Sequence, residues 1–215
     1  MQYKEFGEKQ LYTLTWWSDA AMHDYDAIIC DGSIRAGKTM TMAVSFILWA
    51  FTAFDKQVFA ICGKTIESVR RNIVTHLPQW LDGIVRIQER RSENLLIISF
   101  AGKTNRFYLF GGKDEGSAAL IQGMTLAGVM FDEVALMPRS FVEQALARCS
   151  VEGSKFWFNC NPDSPEHWFY KEWIQKHKEK NALYLHFTMK DNNSLSEKVK
   201  KRYENMYSGV FYDRF

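Results

Sequence analysis

Along the chain, short apolar runs alternate with stretches in which apolar residues recur at helical spacing. Five runs have strand length: Ala27-Ile28-Ile29-Cys30 between two aspartates, Val58-Phe59-Ala60-Ile61-Cys62, residues 126–131 ending at Asp132, Lys155-Phe156-Trp157-Phe158-Asn159, and Leu183-Tyr184-Leu185-His186-Phe187. Between them, residues 39–54, 66–81, 138–147 and 165–178 read as helices, and residues 195–207 as a polar helix dense in lysine and glutamate. Strands that alternate with helices predict βαβ units, hence an α/β fold with a mostly parallel sheet and flanking helices. One section departs from the alternation. Residues 95–100 and 106–110 flank Ala101-Gly102-Lys103-Thr104-Asn105, which predicts an antiparallel hairpin inserted into the parallel scheme. No repeat, low-complexity tract or Pro/Gly/Ser linker interrupts the pattern, so residues 1–215 read as one domain.

Composition narrows the classes. Hydrophobic residues make up 47% of the 215, with 16 Phe, 9 Tyr and 7 Trp, which is ample for a core and argues against disorder. A formal net charge of +2 gives no global field for nucleic acid, so any contact with DNA must use a local patch. The four cysteines, Cys30, Cys62, Cys149 and Cys160, form no C-x-x-C pair and lie in or beside apolar runs, as buried reduced thiols do. Residues 40–54 form the longest apolar stretch; it is shorter than the roughly 20 residues of a membrane span and includes Thr and Ser, so it reads as a buried helix. Met1-Gln2-Tyr3-Lys4-Glu5 carries no apolar signal region.

The chemistry enters at Gly32-Ser33-Ile34-Arg35-Ala36-Gly37-Lys38-Thr39, which fits G-x-x-x-x-G-K-[ST] at every fixed position. Glycine lets the backbone wrap, so that the N–H groups around Gly32, Ser33, Ala36 and Gly37 would cradle phosphate oxygens, aided by the positive end of the following helix. Lys38 would span the β- and γ-phosphates and the Thr39 hydroxyl would ligate Mg²⁺, which makes ATP and Mg²⁺ the expected cofactors. A short strand before the loop and a long helix after it supply the required context. Two further Gly-Lys-Thr tripeptides serve as internal controls. Gly63-Lys64-Thr65 has Val58, and Gly102-Lys103-Thr104 has Ile97, where the first glycine belongs.

A phosphate loop needs a carboxylate for its metal, delivered by the end of a buried strand. Val129-Met130-Phe131-Asp132-Glu133 meets that need: Asp132 would hold Mg²⁺ and Glu133 would polarise the attacking water. Asp114-Glu115 follows Gly111-Gly112-Lys113 and no buried strand. An acid placed to activate water favours hydrolysis over phosphoryl transfer to a bound small molecule.

Taken in order, these motifs resemble the large terminase subunits of tailed bacteriophages. The likeness is carried by Ile121-Gln122-Gly123-Met124-Thr125-Leu126-Ala127-Gly128 leading into Asp132-Glu133-Val134-Ala135-Leu136-Met137-Pro138, then by Phe141-Val142-Glu143-Gln144-Ala145-Leu146-Ala147-Arg148 and Asn159-Cys160-Asn161-Pro162-Asp163-Ser164-Pro165-Glu166-His167-Trp168. It extends over residues 6–215. The resemblance implies a P-loop NTPase core of the ASCE, RecA-like type. It also implies a Mg²⁺-dependent ATPase that drives double-stranded viral DNA into a procapsid, as a ring on a portal, with a small terminase subunit, in the cytoplasm of the infected host and without a membrane partner. By the same resemblance Arg35 is the loop arginine near the γ-phosphate, with an exposed loop residue as the alternative. Asn159 and Asn161 occupy the coupling motif that senses the γ-phosphate, with a strand-ending turn as the alternative. Arg148 corresponds to an arginine finger offered to a neighbouring subunit, or else to a surface arginine at a helix end. Gln10 corresponds to the glutamine that reads adenine, or to an ordinary surface glutamine. Family members carry a metal-dependent nuclease domain after the ATPase; its carboxylate cluster is not found here, and Gly209-Val210-Phe211-Tyr212-Asp213-Arg214-Phe215 resembles the junction before it, so nuclease activity is not expected.

Three other functions compete. A superfamily-two helicase needs a second similar lobe, a small-molecule kinase gives no reason for Glu133, and a nonenzymatic nucleotide-gated module would tolerate its loss. Lys64, Arg70 and Arg71, then Arg86, Arg90 and Arg91, and Lys103 with Arg106 are the candidate contacts to DNA phosphates, or else a solvated charged face.

Overall fold

A computed structural model of the protein describes residues 5–161 and 164–206. Helix α1 (Glu8–Thr15) leads into strand β1 (Ala27–Gly32), and the phosphate loop joins β1 to the long helix α2 (Lys38–Ala53). Then come β2 (Val58–Gly63), short helices α3 (Ile66–Val69) and α4 (Leu77–Trp80), the strands β3 (Arg86–Arg90), β4 (Leu95–Phe100) and β5 (Lys103–Gly111), β6 (Gly128–Phe131), α5 (Arg139–Ala147), β7 (Lys155–Asn159), β8 (Ala182–Phe187) and α6 (Glu197–Met206). The strands form one sheet in the order β3-β4-β5-β2-β6-β7-β1-β8, and β4 alone among them runs against the rest. The α/β fold with a mostly parallel sheet and flanking helices is therefore as expected.

The central strands are apolar on both faces because both faces are covered. On one side α2 sets Phe46 and Trp49 against Ile28, Phe59, Phe107 and Trp157. On the other, Ile29, Ala60, Val129, Phe131 and Phe158 pack with Phe141, Val142 and Ala145 of α5 and with Phe169 and Trp173. Gly128 is required at the start of β6, where any Cβ would collide with the Trp49 ring.

Several expectations need correcting. The hairpin turn is the pair Ala101 and Gly102, both at positive φ (47° and 81°), as a tight two-residue turn demands. Lys103, Thr104 and Asn105 are therefore in β5, and β5 belongs to the parallel scheme through β2 while pairing β4 in antiparallel. Strand β3 and helix α1 were not predicted: β3 is an exposed edge strand with no apolar alternation to mark it. Residues 66–81 do not form one helix. Between α3 and α4 the chain winds a π-turn, Arg70–Val74, in which the Thr75 N–H reaches the Arg70 carbonyl at 2.9 Å. Pro78 lacks the N–H that a continuous helix would bond to Val74, so the helix cannot run through. Likewise residues 165–178 contain a π-turn, Tyr170–Ile174, rather than a long helix. All four cysteines are free, but Cys149 is only half-buried.

Asn105 shows how the edge is tied to the centre. Its side chain is wholly buried; its Nδ2 donates to the carbonyls of Ala50 (3.1 Å) and Phe54 (3.2 Å), and its Oδ1 accepts from the Gln57 N–H (2.9 Å). It thus closes the end of α2 and the entry to β2. Asn105→Ala should lower stability by about 3 kcal/mol, since it strands buried backbone groups. Urea unfolding measures this, and a loss under about 0.5 kcal/mol would contradict the role given to Asn105.

Candidate nucleotide site

The loop is shaped by two glycines. Gly32 has φ of 104° and lies where a Cβ would strike the Phe187 carbonyl, which also accepts the Ser33 N–H at 2.9 Å. Gly37, with φ of 86°, is the N-cap of α2 and presents that helix's first N–H groups to the cleft. Arg35 is also left-handed, at φ 58°. Lys38 is buried, and its ammonium donates to the Gly32 (2.8 Å) and Ser33 (2.6 Å) carbonyls, closing the loop on itself. Burial pulls that ammonium below the ordinary lysine range, against which Asp31 and Asp132 act.

Three neighbouring strands deliver the rest. Asp132 follows β6 and is 3% exposed. Its Oδ1 accepts from Asn159 Nδ2 (2.6 Å) and from Thr39 Oγ1 (3.3 Å), and its Oδ2 from Asn72 Nδ2 (3.0 Å). Asn159 Nδ2 also donates to Thr39 Oγ1 at 2.9 Å. Glu133 stands at the rim at φ 58°, a costly conformation for a non-glycine residue. Partial burial and the adjacent Asp132 carboxylate raise its carboxyl above the usual range, opposed by Arg71 and Lys38.

A cleft of about 400 Å³ gathers Arg35, Ala36, Gly37, Lys38, Thr39, Glu133, Asn159 and Asn161, so most of the expected site residues meet there. Two do not. Gln10 is buried behind the loop, with its Oε1 on the Gly7 N–H (2.9 Å) and its Nε2 towards the Ala36 carbonyl (3.5 Å). The Arg148 carbonyl accepts the Leu126 N–H at 2.8 Å, ahead of β6, whereas Asp132 follows the far end of that strand. The two are separated by six residues of extended chain, roughly 20 Å. Pro162 and Asp163 of the coupling segment, and residues 209–215 of the expected junction, lie outside the described residues.

The second Gly-Lys-Thr tripeptide and Asp114-Glu115 make local caps. Thr65 caps α3 by accepting the Ser68 N–H (3.0 Å), and Asp114 caps a 3₁₀ turn by accepting the Ser117 N–H (3.1 Å). Of the candidate DNA contacts, Arg70 is committed to Glu89, Asn94 and the Arg91 carbonyl, and Lys103 to the carbonyls of Phe51 and Thr52. Arg90 pairs with Glu93 and Arg91 with Glu89, while Lys64 donates to the Lys113 carbonyl. Arg71, Arg86 and Arg106 are exposed.

The cleft also contains residues that no motif announced: Asn72, His76 and Trp80, the last two with stacked rings 5.3 Å apart. Their four-residue spacing marks one face of a helix, and that was the available signal.

Thr39 and Asp132 offer a hydroxyl and a carboxylate, hard oxygens that suit Mg²⁺. Among the described residues no three His, Cys, Asp or Glu are grouped to hold a metal. Two protein oxygens fit an ion whose other ligands are nucleotide phosphates and water.

Fold and site together define a P-loop nucleotide-binding domain with an ASCE-type core. The chain belongs to the large terminase family: residues 29–212 match the family model described as terminase large subunit, T4likevirus-type, N-terminal. It is similar to the large terminase of a thermophilic bacteriophage (crystal form 2), with 58% identity and a TM-score of 0.94 over 99% of this chain and 53% of that one. The same phage protein in complex with ATP-gamma-S gives 56% identity and a TM-score of 0.92 over 98% of this chain and 52% of that one. The chain therefore spans about half the length of these relatives. The large terminase ATPase domain of Thermus phage P74-26, at 15% identity and a TM-score of 0.64 over 99% of this chain and 98% of that one, shares the fold. No curated protein sequence matches the chain. Among the described residues no helix is long and apolar enough to cross a membrane.

The position of Gln10 yields a discriminating expectation. Gln10→Ala should weaken ATP and GTP binding alike, by about fivefold, because the lost hydrogen bonds brace the loop. Competition with a fluorescent nucleotide measures both; a loss confined to ATP would return Gln10 to reading the base.

Proposed function

We propose that this chain is a Mg²⁺-dependent ATPase whose hydrolysis drives double-stranded viral DNA into a procapsid. The observation that carries the reading is the convergence of Lys38, Thr39, Asp132 and Asn159, with Glu133 on the rim of the same cleft. The match to the large terminase family, and the structures of one relative with ADP and with ATP-gamma-S, support it.

In this reading the loop N–H groups and the start of α2 hold the phosphates, and Lys38 turns from the Gly32 and Ser33 carbonyls to the β- and γ-phosphates. Thr39 and Asp132 hold Mg²⁺, which neutralises charge on the phosphate oxygens when bound. Glu133 accepts a proton from the attacking water, and its raised basicity suits that task. Asn159, bonded to both Thr39 and Asp132, and Asn161 at the cleft wall register the γ-phosphate. Arg35 serves its own subunit's site. Arg148, at the other end of β6, serves only a neighbour's, in a ring assembled on a portal with a small terminase subunit in the host cytoplasm. Arg71, Arg86 and Arg106 are the exposed candidates for DNA phosphates. The helicase and small-molecule kinase readings have no comparable support.

Lys38→Ala should abolish phosphate release from ATP. Glu133→Gln should bind Mg²⁺-ATP with near-normal affinity and hydrolyse it about 10²–10⁴ times more slowly, because an amide does not take the proton. Asp132→Asn should instead shift the Mg²⁺ requirement. Phosphate-release and nucleotide-retention assays separate the three; unchanged turnover in Lys38→Ala would refute the ATPase reading.

A second expectation concerns the two arginines. Per-subunit turnover should rise with protein concentration, and Arg148→Ala should flatten that rise, whereas Arg35→Ala should lower the rate at every concentration. Mixing each with the Glu133→Gln chain should rescue Arg148→Ala alone. Rescue of Arg35→Ala would reverse the assignment.

A further inference from the structure

The Asp132 carboxylate has two oxygens, and one of them is held from an unexpected direction. Oδ1 takes the donors of Asn159 and Thr39, while Oδ2 takes the Asn72 amide at 3.0 Å. Asn72 is half-buried and comes from the π-turn that follows α3, far in sequence from every motif of the site. We infer that Asn72 is a positioning residue: it pins Oδ2 so that Oδ1 faces Thr39 and the metal position. The inference rests on the ATPase reading of this site.

Two features support a positioning role. First, a carboxylate with one oxygen unheld can rotate and exchange its oxygens; the Asn72 amide removes that freedom and satisfies the second acceptor of a 3% exposed acid. Groups that orient a metal ligand in this way typically change metal affinity 10–100-fold when removed. Second, the turn carrying Asn72 is itself fixed. The Arg70 guanidinium at its first residue donates to Glu89 Oε1 (3.1 Å), Asn94 Oδ1 (2.9 Å) and the Arg91 carbonyl (3.1 Å), around the β3–β4 connection. The Thr75 N–H and hydroxyl both bond to the Arg70 carbonyl at 2.9 Å, which closes the wide turn. Such π-turns change the direction of the residues they contain and occur often at functional sites. Here the turn presents Asn72 to Asp132 from a segment anchored to the sheet edge.

The experiment uses the whole chain as Asn72→Ala and Asn72→Leu, the second preserving bulk without a donor. Fluorescent ADP is titrated without metal, and Mg²⁺ is then titrated at fixed ADP; melting is followed with ADP and with Mg²⁺-ADP. Both variants should fold and bind metal-free ADP within about twofold of wild type. Half-saturation by Mg²⁺ should rise about tenfold, and the extra melting stabilisation that Mg²⁺ gives the ADP complex should shrink. Hydrolysis should recover most of its rate at saturating Mg²⁺, so that the loss sits in the metal requirement rather than in kcat. An unchanged Mg²⁺ requirement, an equal loss of metal-free ADP binding, or failure of both variants to fold would each assign Asn72 a merely structural part and overturn the inference. The wild-type titration reports separately on the underlying reading: ADP binding indifferent to Mg²⁺ there would overturn both.

Discussion

The structure turns on one buried charge. Asp132 is a carboxylate at 3% exposure whose direct partners are all neutral: the Asn159 and Asn72 amides and the Thr39 hydroxyl. Removing a carboxylate from water costs several kcal/mol unless donors replace the water, so each partner must be delivered with hydrogen-bond accuracy. That requirement explains the strand order. β6 lies between β2, from which the Asn72 segment leaves, and β7, which ends at Asn159; β1, beyond β7, carries the loop that leads to Thr39. The ends of β6 and β7 and the segments that follow β1 and β2 thus meet at one side chain.

The same constraint shapes the loop. Lys38 is buried close enough for Asp132 to act on its ionisation, and its ammonium donates to the loop's own carbonyls. Gly32 is needed because the Phe187 carbonyl occupies the space a Cβ would take, and Gly37 because its φ of 86° is left-handed, with the Gln10 amide packed beside it. The loop is therefore braced from α1 and from β8, and Asn192 adds a bond to the Arg35 carbonyl at 2.6 Å. Bracing of this kind preforms the loop's donors, which on the proposed reading lowers the ordering cost of binding phosphate.

How much of this was legible in the chain follows from the range of each interaction. The phosphate loop and the Asp132-Glu133 pair are local: each needs only a strand, a turn and a helix that are themselves visible as apolar periodicity. The partners of Asp132 are not local. Asn159 was found by resemblance, and Asn72 was missed because a lone asparagine on a predicted helix has no motif around it. The wide turn that aims it arises where Pro78 and the Arg70 clamp interrupt a pattern that otherwise reads as one helix. Strand β3 escaped because an exposed edge strand lacks an apolar face, and Gln10 was legible as a residue but not as a strut, since its partners depend on how α1 docks.

In the function proposed above, the Thr39 and Asp132 oxygens form one half of a metal site completed by nucleotide. A crystal structure of the chain with Mg²⁺ and a non-hydrolysable ATP analogue tests it directly. The account predicts the metal at about 2.1 Å from Thr39 Oγ1, with Asp132 Oδ1 facing it and Lys38 Nζ moved onto the phosphates. A nucleotide bound in that cleft with Asp132 turned away, or with the metal held by other side chains, would contradict it.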